Sequence, residues 1–340
     1  MNPFQHLYDE CNAGDSPAKL ERLPAFPTHI DVELTSACNY RCLMCPTGNL
    51  SLARPAGFME WETFDNLIEQ CTEWGTGIRF IGWGEPMMHP EFFRFLRRAA
   101  DALLLTHVNT NGSKMDDHAI KMILGGTLDS IKFSFQGTDP ASYAEMRNID
   151  AFDSLFHKIR RLHVMRAGNS PWISISTTIT DEHPSTVEVF KRKFGGICDQ
   201  LSVGRTTFDF MDLSKARLST EQVGRLKSLA GRETVHKVHP DCPEVYDKLT
   251  VHHDGQVRIC CNDYDGLTDL GNVNDTPIEE IWLAKQRNRR LLGRGRLHLR
   301  GRGDLAFYRE ALAIGQHDSL PLCQDCYDYM GTNKEGSQKL

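Results

Sequence analysis

Several features of membrane, secreted and nucleic-acid-binding proteins are missing from this chain of 340 residues. No apolar run approaches the ~18 residues that a helix needs to cross a bilayer. The N-terminal sequence MNPFQHLYDECNAGD has no basic segment followed by an apolar one, as a signal peptide would have. The formal net charge of −6 gives no reason to expect nucleic-acid binding. These absences predict a soluble cytoplasmic protein that binds neither membranes nor nucleic acid.

Cysteine, in contrast, is abundant, with eleven residues in the chain. In a secreted protein they would suggest a disulfide framework, but nothing here indicates export. Three stand alone and are expected to be free thiols, namely Cys11, Cys71 and Cys198. The others form groups at positions 38, 42 and 45, at 242, 260 and 261, and at 323 and 326. This clustering favours metal ligation in a reducing compartment.

The first two thirds of the chain alternate between short β-rich runs and longer amphipathic stretches. Helices are predicted from this pattern at Trp61–Trp74, Glu91–Leu105, Asp117–Gly125, Pro140–Met165 and Ser185–Phe194. Strands are predicted at Thr28–Leu34, Ile78–Trp83, Thr106–Thr110, Ser130–Phe135, Trp172–Thr180 and Gln200–Arg205. Such alternation is typical of right-handed βαβ units around a parallel sheet. Six units predict an α/β fold, a partial (β/α)6 TIM-like barrel whose chemistry lies at the carboxyl ends of the strands.

Beyond residue 208 the pattern changes to a charged helical stretch and then to short, turn-rich sequence. A β-hairpin is predicted there, with Leu249–Val251 and Gln256–Cys260 as strands and with His252, His253 and Asp254 facing solvent at the turn. The predicted organisation is an N-terminal extension at 1–26, the barrel at 27–208, a helical bridge at 209–240, a small α+β domain at 241–330 and a flexible tail at 331–340.

The sequence Cys38-Asn39-Tyr40-Arg41-Cys42-Leu43-Met44-Cys45 follows the first predicted strand directly. A tight loop can point all three thiolates at one [4Fe–4S] cluster, binding three irons and leaving the fourth open to a substrate. Zinc is the main alternative, although structural zinc sites ordinarily have four protein ligands in paired C-x2-C elements. No fourth ligand is present locally. The spacing therefore favours an iron–sulfur cluster with one open iron.

This loop resembles that of the radical S-adenosylmethionine (SAM) superfamily, including the apolar Met44 just before the third cysteine. The resemblance implies that SAM chelates the open iron through its amino and carboxylate groups. It also implies that the reduced cluster cleaves SAM to methionine and a 5′-deoxyadenosyl radical, which abstracts hydrogen from a substrate. A small protein such as flavodoxin or ferredoxin would supply the electron.

Motifs at the ends of the later strands resemble further elements of the superfamily. The segment Gly82-Trp83-Gly84-Glu85-Pro86 is similar to the Gly-Gly-Glu-Pro element that holds the methionyl amino group of SAM, with Trp83 in place of a glycine. The resemblance assigns SAM binding to Gly82, Gly84, Glu85 and Pro86. A plain turn at the end of a strand is the alternative for this segment.

Three more elements complete the resemblance around the SAM pocket. Asn109 and Asn111 lie in a segment similar to the Thr-Asn-Gly of the superfamily, although a simple turn would look the same. Ser134 matches a serine that contacts SAM, and Gln136 stands where relatives commonly have aspartate. Arg147 matches an arginine that often meets the SAM carboxylate, which a guanidinium binds bidentately. A surface arginine on a helix is the alternative for Arg147.

The later cysteines supply a second set of four ligands, namely Cys242, Cys260, Cys323 and Cys326, with Cys261 as the alternative to Cys260. Only one of two adjacent residues on a strand can face the metal. Four cysteines suit either zinc or a [4Fe–4S] cluster. The Gly-x4-Cys and Cys-x2-Cys spacings resemble the SPASM/twitch class of auxiliary iron–sulfur domains. That resemblance implies one auxiliary [4Fe–4S] cluster.

These observations predict a radical SAM oxidoreductase that dehydrogenates a small polar substrate, such as a sugar, an aminocyclitol or a nucleoside-like molecule. Peptide-modifying relatives often carry an additional leader-binding domain, whereas only about 26 residues precede the barrel here. The alternatives are a maturase of a ribosomally made peptide, a SAM-dependent methyl transfer and a zinc-stabilised binding protein without catalysis. Eight Lys and Arg residues between Lys285 and Arg302 form either an anion-binding patch or a solvated basic face.

Overall fold

A computed structural model describes residues 1–12, 15–206, 213–230, 244–283, 305–313 and 338–339. Within these ranges the strands form one nine-stranded sheet in the order β8-β7-β1-β2-β3-β4-β5-β6-β9. The strands are β1 His29–Val32, β2 Gly77–Phe80, β3 Thr106–Thr110, β4 Ser130–Ser134, β5 Trp172–Ile179, β6 Gln200–Arg205, β7 Lys248–Val251, β8 Val257–Arg258 and β9 Gln338–Lys339. Strands β1 to β6 are parallel and adjacent in chain order, which confirms the partial (β/α)6 barrel.

Helices follow the strands and cover the outer face of the sheet. The described helices are α1 Gln5–Asn12, α2 Ser16–Glu21, α3 Trp61–Thr72, α4 Phe92–Asp101, α5 Asp117–Met122, α6 Pro140–Arg147, α7 Phe152–Met165, α8 Pro184–Gly195, α9 Thr220–Ala230, α10 Glu244–Asp247, α11 Ile278–Leu283 and α12 Leu305–Ala313. In α4 the buried residues Phe92, Phe95, Leu96 and Ala99 recur at helical spacing. No described helix is long and apolar enough to cross a membrane.

The helical region predicted over Pro140–Met165 consists of two helices, α6 and α7. Asp139 caps α6 by accepting from the backbone N–H groups of Ala141 and Ser142. Asn148 then adopts the left-handed conformation, at φ 56°, and ends the helix. Asparagine is one of the few residues other than glycine that adopts this conformation readily. The break leaves Arg147 at the carboxyl end of α6, next to the cysteine loop.

Apolar and polar residues alternate along the strands, and this alternation separates the two faces of the sheet. The fully buried residues that face the helices are Ile30, Val32, Ile78, Phe80, Val108, Ile131, Phe133, Ile173 and Ile175. Their neighbours face the barrel interior and are mostly polar, namely His29, Asp31, Arg79, His107, Asn109, Lys132, Ser134, Ser174 and Ser176. Successive side chains of a strand point to opposite faces, so the interior is built from polar groups throughout.

Helix α1 closes the interior at the amino ends of the strands. Phe4, just before the helix, is fully buried, and its ring centroid lies 5.7 Å from that of His107. A Cβ on Gly77 would lie 2.9 Å from the Phe4 ring and 3.2 Å from Leu7, so glycine is needed for this close approach. Tyr8 lies under Arg79, with the guanidinium 5.3 Å from the ring centroid. The N-terminal segment is therefore packed into the base of the barrel.

The hairpin of β7 and β8 is antiparallel, as predicted, and β7 extends the barrel sheet by pairing in parallel with β1. The prediction that the turn histidines face solvent is wrong. His252 is 2% exposed, and His253 lies 3.7 Å from the carboxylate of Glu33. Asp254 alone of the three is exposed. Residues distant in sequence bury the two histidines, which a local turn pattern does not reveal.

Candidate active site

The loop Cys38–Cys45 is held in place by backbone contacts with α6 and with its own continuation. The amide of Leu43 donates to the carbonyl of Met146 at 2.9 Å, and the Asn49 side chain donates to the Leu43 carbonyl at 2.9 Å. A Cβ on Gly48 would lie 2.5 Å from both N and O of Cys42, so only glycine allows the chain to fold back here. These contacts fix a compact turn whose three cysteines are free thiols.

Each of two loop thiols has a hydrogen-bond donor from a predicted SAM-site residue. Asn111 Nδ2 lies 3.8 Å from the sulfur of Cys38, and Arg147 Nη1 lies 3.7 Å from the sulfur of Cys42. The amide of Tyr40 also points at Cys38, at 3.5 Å. Donors of this kind stabilise thiolates and orient them as ligands. The cysteine loop therefore meets the end of β3 and the end of α6 at one place.

Glu85 ties the end of β2 to the end of β3. Its carboxylate accepts from Thr110 Oγ1 at 2.6 Å, from the amide of Asn111 at 2.7 Å and from the amide of Met87 at 3.2 Å. Burial raises the pKa of Glu85, and these hydrogen bonds oppose the rise. The last bond caps the single 3-10 turn that begins at Pro86. Glu85 thus sets the position of Asn111, which in turn contacts Cys38.

The two glycines beside Trp83 are required by close contacts. A Cβ on Gly84 would lie 2.1 Å from the carbonyl oxygen of Thr35 and 2.7 Å from that of Ala37. A Cβ on Gly82 would lie 2.4 Å from the Glu33 side chain. The amide of Glu85 donates to the Ala37 carbonyl at 2.9 Å. The Gly82–Pro86 segment is therefore packed directly against the start of the cysteine loop.

Arg147 is buried, with 9% of its surface exposed, and is not the surface arginine that the alternative would require. Its Nη2 donates to the carbonyl of Ser134 at 2.8 Å. Its Nε is buried and has no hydrogen-bond partner among the described residues. The guanidinium lines a cavity of 220 Å³ together with Met44, Asn109 and Ser134. A guanidinium in the wall of a cavity is a suitable partner for a carboxylate.

Gln136 lies in the wall of the same cavity but is fully buried. Its amide is engaged with three threonine hydroxyls, those of Thr178, Thr180 and Thr206. These bonds join the ends of β4, β5 and β6. All the hydrogen bonds described for the Gln136 side chain are therefore to other residues of the protein.

Several residues at the site were not predicted from the sequence. Glu33 accepts from Arg54 Nη2 at 2.6 Å and from the amide of Trp83 at 3.0 Å. Burial alone would raise the pKa of Glu33, but hydrogen bonds from His253 and Arg54 outweigh it and lower the pKa to about 2. Lys132 lines the cavity, two residues before Ser134 on β4. The alternation of polar residues along the strands is the sequence signal that could have indicated both Glu33 and Lys132.

Of the second cysteine group, Cys260 and Cys261 lie within the described residues, whereas Cys242, Cys323 and Cys326 lie outside them, as does the basic stretch 285–302. Cys260 and Cys261 are both partly buried and lie at the end of the hairpin. The carbonyl of Cys261 accepts from Trp83 Nε1 at 2.6 Å. This bond brings Cys261, one of the two alternative ligands, next to the Gly82–Pro86 segment.

The three loop cysteines are not grouped around one point among the described residues. In the part of the chain that the structure describes, no three Cys, His, Asp or Glu side chains come close enough to share one metal ion. A [4Fe–4S] cluster needs thiols that are further apart, because each binds a different iron. Burial raises the pKa of Cys38 to about 11 and that of Cys45 to about 12. Iron must therefore displace their protons on binding.

Comparison with known proteins gives two family matches. A model described as the radical SAM superfamily matches residues 32–193, and one described as an iron–sulfur cluster-binding domain, SPASM, matches residues 242–327.

The curated relatives share about a quarter of their residues with this chain. An AdoMet-dependent heme synthase from Methanosarcina barkeri is 25% identical over 170 residues, which are 48% of this chain and 47% of the relative. The PqqA peptide cyclase of Gluconobacter oxydans is 27% identical over 150 residues, 44% of this chain and 41% of the relative. The matches thus span less than half the length of these two relatives. A heme synthase from Nitratidesulfovibrio vulgaris is 25% identical over 291 residues, 74% of this chain and 77% of the relative.

Solved structures share the fold. Streptococcus suis SuiB bound to the precursor peptide SuiA superimposes with a TM-score of 0.60 at 13% identity, covering 83% of this chain and 70% of SuiB. BtrN in complex with AdoMet and 2-DOIA gives a TM-score of 0.53 at 16% identity, covering 87% of this chain and 91% of BtrN. The chain therefore belongs to the radical SAM superfamily, carries a C-terminal SPASM domain, and takes SAM and [4Fe–4S] clusters as its cofactors.

Proposed function

We propose that this enzyme abstracts a hydrogen atom from a side chain of a peptide substrate bound in the barrel. The observation that carries the proposal is the contact of Asn111 with the sulfur of Cys38 and of Arg147 with the sulfur of Cys42, next to the cavity that Arg147 lines. When bound, the reduced cluster supplies an electron to SAM, whose 5′-deoxyadenosyl radical takes the hydrogen atom. A low-potential one-electron donor of the flavodoxin or ferredoxin type provides that electron.

The residues of the chain have separate tasks in this proposal. Cys38, Cys42 and Cys45 hold the cluster, while Asn111 and the amide of Tyr40 orient the sulfur of Cys38. Arg147 lines the cavity and pairs with the carboxylate of SAM, and its Nη2 is fixed by the Ser134 carbonyl. A planar guanidinium held in this way binds a carboxylate without a further loss of side-chain freedom.

The Gly82–Pro86 segment has a steric task. With no side chains at Gly82 and Gly84, the backbone packs against Glu33 and the Thr35 and Ala37 carbonyls, which leaves its own amides near the cysteine loop. The auxiliary cluster is held by Cys242, Cys323, Cys326 and one of the adjacent pair Cys260 and Cys261.

A peptide substrate is favoured by the relatives. PqqA peptide cyclase and mycofactocin maturase MftC match in sequence, and SuiB shares the fold in a structure that includes its precursor peptide. The expectation of a small polar substrate rested on the short segment before the barrel, and a separate leader-binding protein would remove that argument. The small polar substrate remains the second candidate. The structure of BtrN, which is in complex with AdoMet and 2-DOIA, superimposes on 87% of this chain.

Isotope transfer from unpurified substrate can decide between the two candidates. Source cells grown in deuterated medium would be extracted. The extract would be separated into a peptide fraction and a fraction below roughly 1 kDa, which contains metabolites and cofactors. Each would be incubated with reconstituted enzyme, unlabelled SAM and a reductant. The proposal expects deuterium in 5′-deoxyadenosine from the peptide fraction, with loss of the signal after protease treatment.

The other outcomes are equally informative. Deuterium transfer from the metabolite fraction alone would refute the peptide substrate and support the second candidate. Cys42→Ala should abolish 5′-deoxyadenosine formation in both fractions, whereas Cys198→Ala, a change of a thiol on the far side of the sheet near Phe194, should not. Cleavage of SAM by Cys42→Ala would contradict the assignment of the cluster ligands.

A further inference from the structure

Lys132 is a cation without a counterion in the interior of the barrel. It lies on β4, in register with Asn109 of β3 and Ser174 of β5, neither of which carries a charge. Among the described residues its ammonium group has no carboxylate and no hydrogen-bond acceptor in range. A partly buried ammonium group that lacks a partner loses hydration without compensation. Its placement therefore needs an explanation.

The charges nearest to the amino ends of the strands are already paired. Asp31 contacts Arg79 Nε at 3.0 Å and Lys248 Nζ at 3.6 Å, and Lys248 also contacts Glu244 at 2.7 Å. Two cations are thus matched by two carboxylates. Lys132 is the cation left over, because Asp31 is engaged with both of its neighbours.

The cavity that Lys132 lines has the composition of an anion site. Its described lining includes two cations, Lys132 and Arg147, together with hydroxyl, amide and apolar groups and no carboxylate. Arg147 lies beside Cys42 and is available to the carboxylate of SAM. Lys132 lies two residues before Ser134 on the same face of β4, about 7 Å further into the barrel. Because Lys132 and Arg147 lie at different depths in the cavity, each can bind a different anion.

We propose that Lys132 binds an anionic group of the substrate, a carboxylate or a phosphate, and so places the neighbouring carbon within reach of the radical. This inference rests on the proposed function, and it adds that the substrate is negatively charged close to the reacting position. For a peptide substrate the group is an acidic side chain or the terminal carboxylate. Charge-assisted hydrogen bonds of this kind are short and directional, which suits the placement of a carbon atom.

The electrostatics of the interior agree with this role. Burial, and then the positive charge of Arg79, lower the pKa of Lys132 to about 8, and the positive charge of Lys248 adds to the lowering. Asp31 and Cys261 act in the opposite direction and raise this pKa. An arriving anion would offset the repulsion and replace the lost hydration. It would also hold the amine in its protonated form.

Reductive methylation of lysines gives a direct test, since only the neutral amine reacts. Reconstituted holoenzyme would be treated anaerobically with formaldehyde and dimethylamine–borane at increasing concentrations of acetate or of inorganic phosphate. Peptide mass spectrometry would then report methylation at Lys132 and, as internal controls, at Lys121 and Lys158. The expected result is saturable protection of Lys132 alone.

The probe that protects identifies the anion. Protection by acetate indicates a carboxylate substrate, and protection by phosphate indicates a phosphorylated one. If neither probe protects Lys132, or if all three lysines respond equally, the site does not exist. Protection by SAM alone, without acetate or phosphate, would show that Lys132 serves the SAM carboxylate and would overturn the assignment to the substrate.

Variants supply an independent measurement in the isotope-transfer assay. At substrate concentrations below saturation, Lys132→Met should reduce deuterium transfer by about 10-fold or more, because a hydrogen bond to a charged group is lost. Lys132→Arg should recover most of it, and the exposed Lys121→Met should match the wild type. Equal transfer by Lys132→Met and wild type would refute the proposal. The methylation result requires no turnover, so it stands or fails separately from the proposed function.

Discussion

Arg147 illustrates how far a single residue can be interpreted from sequence. The motif predicted an arginine near the SAM carboxylate, and a surface arginine on a helix was the alternative. The structure buries it between the sulfur of Cys42 and the carbonyl of Ser134. The sequence could not predict its contact with Cys42, because 105 residues separate the two and only the break at Asn148 brings the end of α6 to the loop.

Gly84 allows a prediction about the effect of adding one methyl group at a closely packed position. Gly84→Ala would place Cβ 2.1 Å from the backbone carbonyl of Thr35, which cannot move without displacing the cysteine loop. We expect destabilisation of about 2 kcal/mol or more and loss of SAM cleavage. Gly195→Ala is the matched control, because its Cβ would meet nothing within 4 Å. Urea unfolding and a 5′-deoxyadenosine assay would measure both effects; equal stability of the two variants would contradict the prediction.

Two buried histidines predict how stability depends on pH. Burial, and then the nearby Arg79, lower the pKa of both His29 and His107 to about 3. Between that value and the ordinary value of about 6.5, the unfolded chain binds more protons than the folded one. Stability should therefore fall as the pH drops below about 6.5, by up to about 1.4 kcal/mol per pH unit for each histidine.

The measurement is the free energy of unfolding in urea at pH 7.0 and pH 5.5. His107→Gln should show a smaller loss between these values than the wild type, because one of the two titrating groups is removed. The exposed His157→Gln provides the control and should retain the loss seen in the wild type. An unchanged pH dependence in His107→Gln would show that this residue does not contribute.

Among the elements, β3 and β6 were predicted with the bounds that the structure shows, whereas β1 and β2 are shorter than predicted. Short apolar runs between turn residues predict strands well, and their alternation with helices determines the parallel order. The polar residues inside the barrel are harder to interpret. Asp31 and Arg79 were not predicted to pair, because their contact depends on the register of two strands.

A buried ion pair joins the end of α7 to the sheet. We expect a substitution that removes one of its charges to lower the free energy of unfolding substantially. Arg166 Nη2 donates to Asp199 Oδ1 at 2.8 Å, its Nη1 also contacts Asp199, and the amide of Ile173 donates to the same carboxylate at 2.7 Å. Asp199→Asn leaves the guanidinium buried without its counterion and should cost about 3 kcal/mol in the free energy of unfolding. Asp153→Asn, which removes an exposed pair with Lys193, should cost less than about 0.5 kcal/mol. Similar costs for the two variants would contradict this account.

At the scale of the whole molecule, Trp83 connects the proposed SAM site to the C-terminal segment. Its backbone amide donates to Glu33, its indole N–H donates to the Cys261 carbonyl at 2.6 Å, and its ring packs edge-on against Tyr264. Arg54 makes a parallel connection through Glu33 and the Tyr264 carbonyl. The sequence showed Trp83 only as a departure from the glycine of the superfamily. Its C-terminal partners, Cys261 and Tyr264, lie 178 residues away or more and could not be predicted from the motif.

Removing the indole N–H should loosen this connection while the barrel stays folded. Trp83→Phe keeps an aromatic ring beside Tyr264 but leaves the Cys261 carbonyl without its donor, at a cost of about 1–2 kcal/mol in local stability. Amide hydrogen exchange should increase in residues 259–268 and remain unchanged in β3 and β4. Trp74→Phe, a half-exposed residue stacked on Phe26, is the control. Unchanged exchange in both variants would show that the bond does not secure the segment.

The position of α1 has a consequence for how ligands enter and leave the barrel. Because Phe4, Leu7 and Tyr8 fill the amino ends of the strands, a ligand at Lys132 has no exit through the base of the barrel. Substrate, SAM and the products of both must exchange on the side where the cysteine loop meets the Cys260–Cys261 segment. If the substrate binds Lys132 as proposed, it occupies the deeper position, and we expect it to bind before SAM and to leave after it.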